Sequence, residues 1–148
     1  MANILFVCGS NRSRSPLAAA YFQHLAQEAG IKDLFVYSAG IRTHSKELIC
    51  PEVEQLLAEY NLKPQQISTK QLLPKMLKSA DLVLCMTSDQ QTRLEKEFFS
   101  ARQKTKTLMG ILKLDKDIFD PCNEGLDRFR QCLEMLKPAL YALVERLR

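Results

Sequence analysis

Residues 3–16 read N-I-L-F-V-C-G-S-N-R-S-R-S-P, and this stretch decides the fold. Its apolar first half, Asn3 to Cys8, is typical of a strand that is buried on both faces of a parallel sheet. Ser15 and Pro16 predict the start of a helix, with Ser15 as the N-cap and the proline in the first turn. The stretch therefore predicts a strand, a short loop and a helix in direct succession.

Outward from this unit, strands and helices alternate along the chain. Apolar runs predict two further strands, at residues 34–37 and 82–86, and residues 105–109 are a candidate for a fourth, shorter strand. Apolar residues at helical spacing predict helices over 15–30, from 51 to 60, around 72–77, over 88–99 and from 126 to the C-terminus. Pro138 should kink or split the last helix, and residues 110–124 are expected to form a functional loop. The alternation predicts an α/β fold with a parallel sheet covered on both faces, whose ligands bind beyond the carboxyl ends of the strands.

Length and composition limit the function classes. The chain has 148 residues, 46% hydrophobic and 26% charged, which suits one domain over residues 1–148. A net charge of +4, spread along the chain, suits a site for anions but does not indicate nucleic-acid binding. No apolar run approaches the ~18 residues of a membrane span, and no signal peptide is recognisable, so we expect a cytoplasmic protein. Five cysteines without a CxxC pair argue against a disulfide framework and against a zinc site.

The loop after the first strand has the composition of an anion-binding site. A loop of this length can turn consecutive backbone N–H groups inward, and the following helix N-terminus adds its dipole. Gly9 and Asn11 suit the positive φ angles of such a curl, and the planar guanidinium group of Arg14 can bind two phosphate oxygens at once. The predicted phosphate-binding residues are Gly9, Ser10, Asn11, Arg12, Ser13, Arg14 and Ser15.

Cys8 stands at the end of the strand that leads into this loop. Helix N-termini and nearby cations favour a thiolate over a thiol, and the Ser15 hydroxyl is placed to donate a hydrogen bond to it. A cysteine separated from an arginine by five residues arises often by chance. Here the pair coincides with a strand-to-helix turn, so we predict that Cys8 attacks a phosphorus atom held by Arg14.

The sequence resembles the low-molecular-weight protein tyrosine phosphatase family over nearly its whole length. The likeness is carried by Val7-Cys8, Asn11, Arg14-Ser15-Pro16, Ser38-Ala39-Gly40, the run from Ala80 to Leu84, and Asp120-Pro121. The resemblance implies a three-layer sandwich in which helices flank both faces of a four-stranded parallel sheet. It also implies Cys8 as nucleophile, Arg14 as phosphate clamp and Asp120 as general acid, with Asn11, Ser15 and Ser38 supporting the loop. Phosphotyrosine-containing proteins would be the substrates and phosphate or vanadate the inhibitors of a monomeric enzyme without metal or other cofactor.

Asp120 also fits the general-acid role on chemical grounds. Protonating a departing aryl or alkyl oxide contributes about 10²–10⁴-fold to the rate, and the acid must be a group other than the ionised nucleophile. Asp-Pro also commonly makes a turn, which is the alternative reading of this pair. Asp115 and Asp117 are nearby alternatives for the acid.

Four departures from the family pattern concern redox chemistry and specificity. Ser13 stands where members commonly carry a second cysteine, which predicts easier over-oxidation of the nucleophile by peroxide. Arg12 replaces an aliphatic residue or threonine; its side chain is expected to point to solvent, the alternative being a charge at the rim that favours acidic flanks on a phosphopeptide. Cys122 stands where an aromatic residue often stacks on the substrate ring. Ile67 replaces a histidine, which predicts the loss of one brace of the loop.

Three alternative functions share parts of this site. A phosphoarginine phosphatase would use the same loop and acid, but Arg12 beside the cleft would repel a guanidinium substrate. A thiol-dependent arsenate reductase needs two further cysteines, and the corresponding positions hold Thr87 and Leu94. A non-catalytic anion-binding module would need neither Cys8 nor Asp120.

Overall fold

A single parallel sheet forms the centre of the protein. The structure, a computed structural model, describes residues 2–44 and 46–148. The strands are β1 (Ala2–Cys8), β2 (Leu34–Gly40), β3 (Leu82–Cys85) and β4 (Thr105–Thr107). They lie in the order β2-β1-β3-β4 and every pairing is parallel, which confirms the predicted fold class.

Helices connect the strands in the described part of the chain. They are α1 (Arg14–Glu28), α2 (Pro51–Ala58), α3 (Pro74–Ser79), α4 (Ser88–Glu97) and α5 (Leu126–Leu147). Short 3-10 helices follow at Phe99–Ala101 and Met109–Leu112. Proline begins α2 and α3, where its missing N–H group costs no hydrogen bond, and Thr87 and Gln90 form a capping box on α4. None of these helices combines the length and apolarity that a membrane crossing requires.

Side chains of β1 alternate between two cores, because successive residues of a strand point to opposite faces of its sheet. Ile4 and Phe6 pack with α1, α2 and α5 on one face. Leu5 and Val7 pack with α3 and α4 on the other face. Both faces of the central strand are therefore buried, and the predicted three-layer arrangement is confirmed.

Two predicted helix boundaries were wrong. Helix α1 begins at Arg14, and Ser15 lies inside its first turn because the Ser15 hydroxyl accepts a hydrogen bond from Asn11 instead of capping the helix. Leu72 lies outside α3, because its backbone N–H donates to Gly40 at the end of β2. It extends the edge of the sheet instead.

The C-terminal third differs from the prediction in two places. β4 ends at Thr107; of the two residues that were expected to prolong it, Leu108 lies in a turn and Met109 begins the 3-10 helix Met109–Leu112. Helix α5 continues through Pro138 and is not split. Proline removes the hydrogen bond to the carbonyl of Glu134, but both residues are exposed, so water can satisfy that carbonyl.

The sheet order places a crevice at the carboxyl end of β1. From β1 the chain passes through α1 to β2 on one side, and β3 pairs with β1 on the other side. The strand order thus reverses direction at β1, and ligands of open α/β sheets bind at such a switch point. The loop between β1 and α1 lies there.

Candidate active site

Asn11 holds the shape of the loop between β1 and α1. It has a φ angle of 60° and is completely buried, a conformation that asparagine tolerates better than most residues. Its Nδ2 donates to Ser15 Oγ at 2.7 Å and to Ser38 Oγ at 3.0 Å. Its Oδ1 accepts from the backbone N–H of Lys70 at 2.8 Å. The structure thus brings the three predicted support residues, Asn11, Ser15 and Ser38, into one hydrogen-bond network.

Gln66 adds a brace that the sequence analysis missed. Its Nε2 lies 3.2 Å from both Asn11 Oδ1 and Ser38 Oγ. The expectation that Ile67 removes a brace of the loop was therefore wrong, because the neighbouring glutamine reaches the same network. Ile67 itself is 59% exposed. A long polar side chain next to the expected position was the available signal.

Gly40, at the end of β2, allows this second strand to approach the loop. A Cβ atom on Gly40 would lie 2.8 Å from the carbonyl carbon of Ser10 and 2.9 Å from the backbone nitrogen of Asn11. Both contacts involve backbone atoms, which cannot move aside as a flexible side chain can. The family-like Ser38-Ala39-Gly40 run therefore has a steric purpose as well as a hydrogen-bonding one.

The Cys8 thiol lies in contact with Ser15. Cys8 is 2% exposed, and its Sγ is 3.0 Å from Ser15 Oγ. Because Ser15 Oγ accepts the hydrogen bond from Asn11, its hydroxyl hydrogen is available to donate to the sulfur. A hydrogen bond donated to sulfur stabilises the thiolate relative to the thiol. The network around Asn11 thus determines the direction of the bond that the nucleophile receives.

The loop itself offers a set of backbone donors. In the described structure, the backbone N–H groups of residues 9–13 donate to no other protein group. They lie next to the N-terminus of α1, a 15-residue helix whose dipole is positive at this end. Consecutive unpaired N–H groups at a helix N-terminus are the donor set of an anion site.

Arg14 is a buried cation at the end of this loop. It is 8% exposed, and its Nη1 donates to the carbonyl of Ile118 at 2.9 Å. Its Nε is buried and has no hydrogen-bond partner among the described residues. A buried unpaired donor is costly, and an anionic oxygen is a chemically suitable partner for it.

Asp120 is held beside Arg14. Its Oδ1 accepts from Ser13 Oγ at 2.7 Å and from the backbone N–H of Cys122 at 3.1 Å, and its Oδ2 lies 3.8 Å from Arg14 Nη2. Asp117 instead accepts from the backbone N–H of Ser88 at the start of α4. Neither Asp115 nor Asp117 lines the cleft, whereas Asp120 does. The bond from Ser13 to the acid was not foreseen, since this position was considered for phosphate binding and for its missing cysteine.

Arg12 does not point to solvent, so that expectation was wrong. Its Nε donates to the carbonyl of Leu48 at 3.1 Å and lies 3.9 Å from Glu47 Oε2. Its Nη1 is 3.4 Å from Cys122 Sγ. The carbonyl and the carboxylate draw the guanidinium group away from the cleft, which its side chain does not line. Arg12 can therefore contribute to the predicted phosphate-binding loop through its backbone N–H, and not through its guanidinium group.

A cleft of about 510 Å³ opens over the loop. Beside loop residues and Asp120, it is lined by the segment after β2 and by the start of α4, with arginines 42 and 93 and the carboxylate of Asp89 among its charged groups. The lining residues missed by sequence analysis are Thr87, Asp89, Gln90 and Arg93. Their position after β3, at the carboxyl edge of the sheet, was the signal that would have found them.

The remaining cysteines have different environments. Burial raises the pKa of Cys132 to about 12 and raises the pKa of Cys85 above its usual range, so both stay neutral. Cys50 and Cys122 lie in contact with each other near Arg12. The described residues contain no group of three or more histidine, cysteine or acidic side chains placed to hold a metal ion.

Comparison with known proteins gives matches over nearly the full chain. The family model for low molecular weight phosphotyrosine protein phosphatases matches residues 3–148. A protein-arginine-phosphatase from Bacillus subtilis is 30% identical, and the match covers 99% of this chain and 97% of that protein. These matches include the loop, the acid and the C-terminal helix.

Two solved structures are similar throughout. A low molecular weight protein tyrosine phosphatase from T. tengcongensis has a TM-score of 0.92 at 29% identity, covering 99% of this chain and 100% of the other. The arginine phosphatase YwlE, in a mutant with a phosphorylated active-site serine, has a TM-score of 0.91 at 29% identity. That match covers 98% of this chain and 95% of the YwlE chain. Relatives named as tyrosine phosphatases and relatives named as arginine phosphatases are thus about equally similar to this chain.

Proposed function

The chain belongs to the low molecular weight phosphotyrosine protein phosphatase family, whose members are cysteine-dependent phosphatases, and we propose that its substrates are proteins phosphorylated on tyrosine. One observation carries the proposal. The Cys8 thiol, the Arg14 guanidinium group and the Asp120 carboxyl group meet at one loop of unpaired backbone donors. Residues 1–148 would form a single phosphatase domain that works as a monomer in the cytoplasm.

In the first step the Cys8 thiolate attacks phosphorus. The loop N–H groups and Arg14 hold the phosphoryl oxygens, and the buried Nε of Arg14 gains an oxygen partner. The S–P bond forms while the P–O bond to the tyrosine breaks, and Asp120 gives its proton to the departing phenolic oxygen. The Ser15 hydroxyl stabilises the thiolate before the attack.

In the second step water releases the phosphate. Asp120, now ionised, takes a proton from the water, whose oxygen attacks phosphorus as the S–P bond breaks. Inorganic phosphate leaves, and the Cys8 thiolate and the acid are restored. The phosphorylated active-site serine in the mutant relative supports a phosphoryl intermediate at this position.

Phosphoarginine is a second candidate substrate, because a specific observation favours it. The argument against it was repulsion by Arg12, but that side chain is bound to Leu48 and Glu47, away from the cleft. Two carboxylates, Asp89 and Asp120, line the cleft and can accept from a guanidinium group. No aromatic side chain of the described residues lines it to stack on a tyrosine ring.

Hydrolysis of p-nitrophenyl phosphate without added metal tests the chemistry. We expect Cys8→Ser to abolish turnover and Asp120→Asn to lower kcat about 10²-fold or more, with competitive inhibition by phosphate unchanged. Asp115→Asn is the matched control, because that carboxylate is exposed and outside the cleft. Turnover by Cys8→Ser would exclude the phosphocysteine route, and an unchanged rate for Asp120→Asn would assign the acid elsewhere.

A peptide panel tests the substrate. Peptides of one flanking sequence carrying phosphotyrosine, phosphoserine or phosphoarginine are compared by kcat/KM. We expect the highest value for phosphotyrosine, with inhibition by vanadate and phosphate. A preference for phosphoarginine would select the second candidate, and binding of phosphate without turnover of any substrate would leave an anion-binding module.

A further inference from the structure

Two cysteines outside the proposed reaction lie in contact beside the loop that carries the acid. Cys50 Sγ and Cys122 Sγ are 3.2 Å apart, although the residues are 72 positions apart in the chain. Cys50 directly precedes α2 and is 3% exposed. Cys122 follows Asp120-Pro121 and is only partly buried. The fold therefore pairs a buried thiol with a more accessible one.

The surroundings make the two sulfurs unequal. Burial, and next the hydrogen bond with Cys122, raise the pKa of Cys50 to about 12, so Cys50 keeps its proton at neutral pH and has a hydrogen to donate to Cys122 Sγ. Arg12 supplies a second donor, with its Nη1 at 3.4 Å from Cys122 Sγ. When a thiol attacks an oxidant, negative charge is concentrated on the attacking sulfur, and both donors contact Cys122. Cys122 is thus placed to attack, and Cys50 to resolve.

We propose that Cys50 and Cys122 form an oxidation site that hydroperoxides convert reversibly into a disulfide. Cys122 attacks the O–O bond, which breaks to release water or an alcohol and leaves a sulfenic acid on Cys122. Cys50 then attacks this sulfur, the S–S bond forms, and the sulfenic oxygen leaves as water with the thiol proton. The two thiols lose two electrons in total, and the hydroperoxide gains them.

The disulfide would change the position of the acid loop. An S–S bond of about 2.05 Å requires the sulfurs to approach by about 1.2 Å from their present separation. The backbone N–H of Cys122 is one of the two donors to Asp120 Oδ1, so the movement is transmitted to the carboxyl group. A misplacement of about 1 Å can lower turnover by up to about 10²-fold. This effect rests on the proposed function, whereas formation of the disulfide does not.

Mass spectrometry of the Cys8→Ser variant tests the oxidation site independently of turnover. The protein is treated with hydrogen peroxide, its remaining thiols are alkylated after denaturation, and the peptides are mapped. We expect a Cys50–Cys122 cross-link that dithiothreitol reverses, with the buried thiols of Cys85 and Cys132 alkylated throughout. Oxidation of Cys122 without this cross-link, or cross-linking of Cys122 to another cysteine, would overturn the proposal.

Cys50→Ser in the same background is the matched control. It leaves Cys122 accessible but removes the resolving thiol, so we expect sulfinic acid to accumulate on Cys122. The converse variant, Cys122→Ser, should leave Cys50 unoxidised, because Cys50 is buried. Oxidation of Cys50 at the wild-type rate in Cys122→Ser would contradict the assigned roles.

The effect on turnover is measured with Cys8 present and shielded by phosphate during oxidation. After removal of peroxide and phosphate, we expect turnover of phenyl phosphate to fall at least about tenfold and to return with dithiothreitol. Cys50→Ser, with normal activity before oxidation, should show no loss that dithiothreitol reverses. Full turnover by the mapped disulfide form would refute its effect on the acid, whereas inactivity before oxidation would refute the proposed function instead.

Discussion

Replacing Ser13 with alanine removes the shorter of the two hydrogen bonds that hold Asp120 Oδ1. The Ser13 hydroxyl lies 2.7 Å from this oxygen, and the Cys122 N–H lies 3.1 Å away. Without Ser13 the carboxyl group keeps a single donor on that oxygen and gains rotational freedom. We expect the variant to bind phosphate normally, because the backbone N–H at position 13 is retained, but to protonate the leaving group less efficiently.

The size of the effect follows from the exposure of the carboxylate. A hydrogen bond to a charged group contributes about 1.5–3 kcal/mol. The Asp120 side chain is 47% exposed, so water replaces part of the lost bond. We expect a loss of about 1 kcal/mol in transition-state stabilisation, or about fivefold in kcat. This is well below the ~10²–10⁴-fold contribution of a complete general acid.

A series of aryl phosphates with leaving groups of increasing basicity provides the assay. The loss should be greatest for phenyl phosphate and nearly absent for 2,4-dinitrophenyl phosphate, whose leaving group departs without a proton. In an Asp120→Asn background, Ser13→Ala should cause little further loss, because both changes affect one function. An equal loss for every leaving group, or additive losses in the double variant, would refute the positioning role of Ser13.

Gly40→Ala should lower kcat/KM at least about tenfold, measured with p-nitrophenyl phosphate, because its Cβ would displace the backbone of the phosphate-binding loop. Gln66→Ala removes two hydrogen bonds from the Asn11 network and should weaken inhibition by phosphate several-fold in a competition assay. Prolonged peroxide treatment should inactivate Cys8 in a form that dithiothreitol restores only partly, because position 13 offers no thiol to trap the sulfenic acid. Glu59→Gln should flatten the dependence of stability on pH, measured by urea unfolding from pH 6 to 3. The hydrogen bond from Arg130 lowers the pKa of Glu59, so its stabilisation is present above the unfolded value and lost as pH falls through the folded one.

Each of these expectations has a contrary result. Wild-type kinetics for Gly40→Ala would mean that the loop can yield to the added methyl group. Unchanged phosphate inhibition for Gln66→Ala would show that Lys70 and Ser38 suffice to hold Asn11. Full recovery of Cys8 activity would require another resolving thiol, and equal pH slopes for the Glu59 variant and wild type would show that the ion pair is fully screened.

The sequence predicted the parts of the site that are local in the chain. Cys8, the loop and Arg14 lie within seven consecutive residues, and their order after an apolar strand already defines a strand–loop–helix turn. The same locality explains the confirmed sheet, since β1, β2 and β3 were each visible as an apolar run, whereas β4 is the short polar stretch Thr105–Thr107. Boundary errors arose where a residue outside the predicted helix competed for a hydroxyl or backbone group: Asn11 at Ser15, and the distant Gly40 at Leu72.

The missed contacts all join segments far apart in the chain. Gln66 reaches Asn11 across 55 positions, Ser13 reaches Asp120 across 107, and Arg12 reaches Cys122 across 110. Periodicity and composition carry no information on which of several polar side chains will meet at such distances. Family resemblance predicted the role of Asp120 but not the residues that hold it, because Ser13 departs from the family pattern and Cys122 acts through its backbone N–H.

The backbone of one residue near the acid, Ile118, has a consequence for how this region can vary. The N–H of Ile118 donates to Met86 at the end of the sheet, and its carbonyl accepts from Arg14. Because main-chain atoms make both bonds, other apolar residues can occupy position 118 without uncoupling acid and arginine. Proline cannot, since it would break the link to the sheet while leaving the arginine's acceptor in place. Sequence drift at position 118 is thereby tolerated in the side chain and opposed where it removes the backbone N–H.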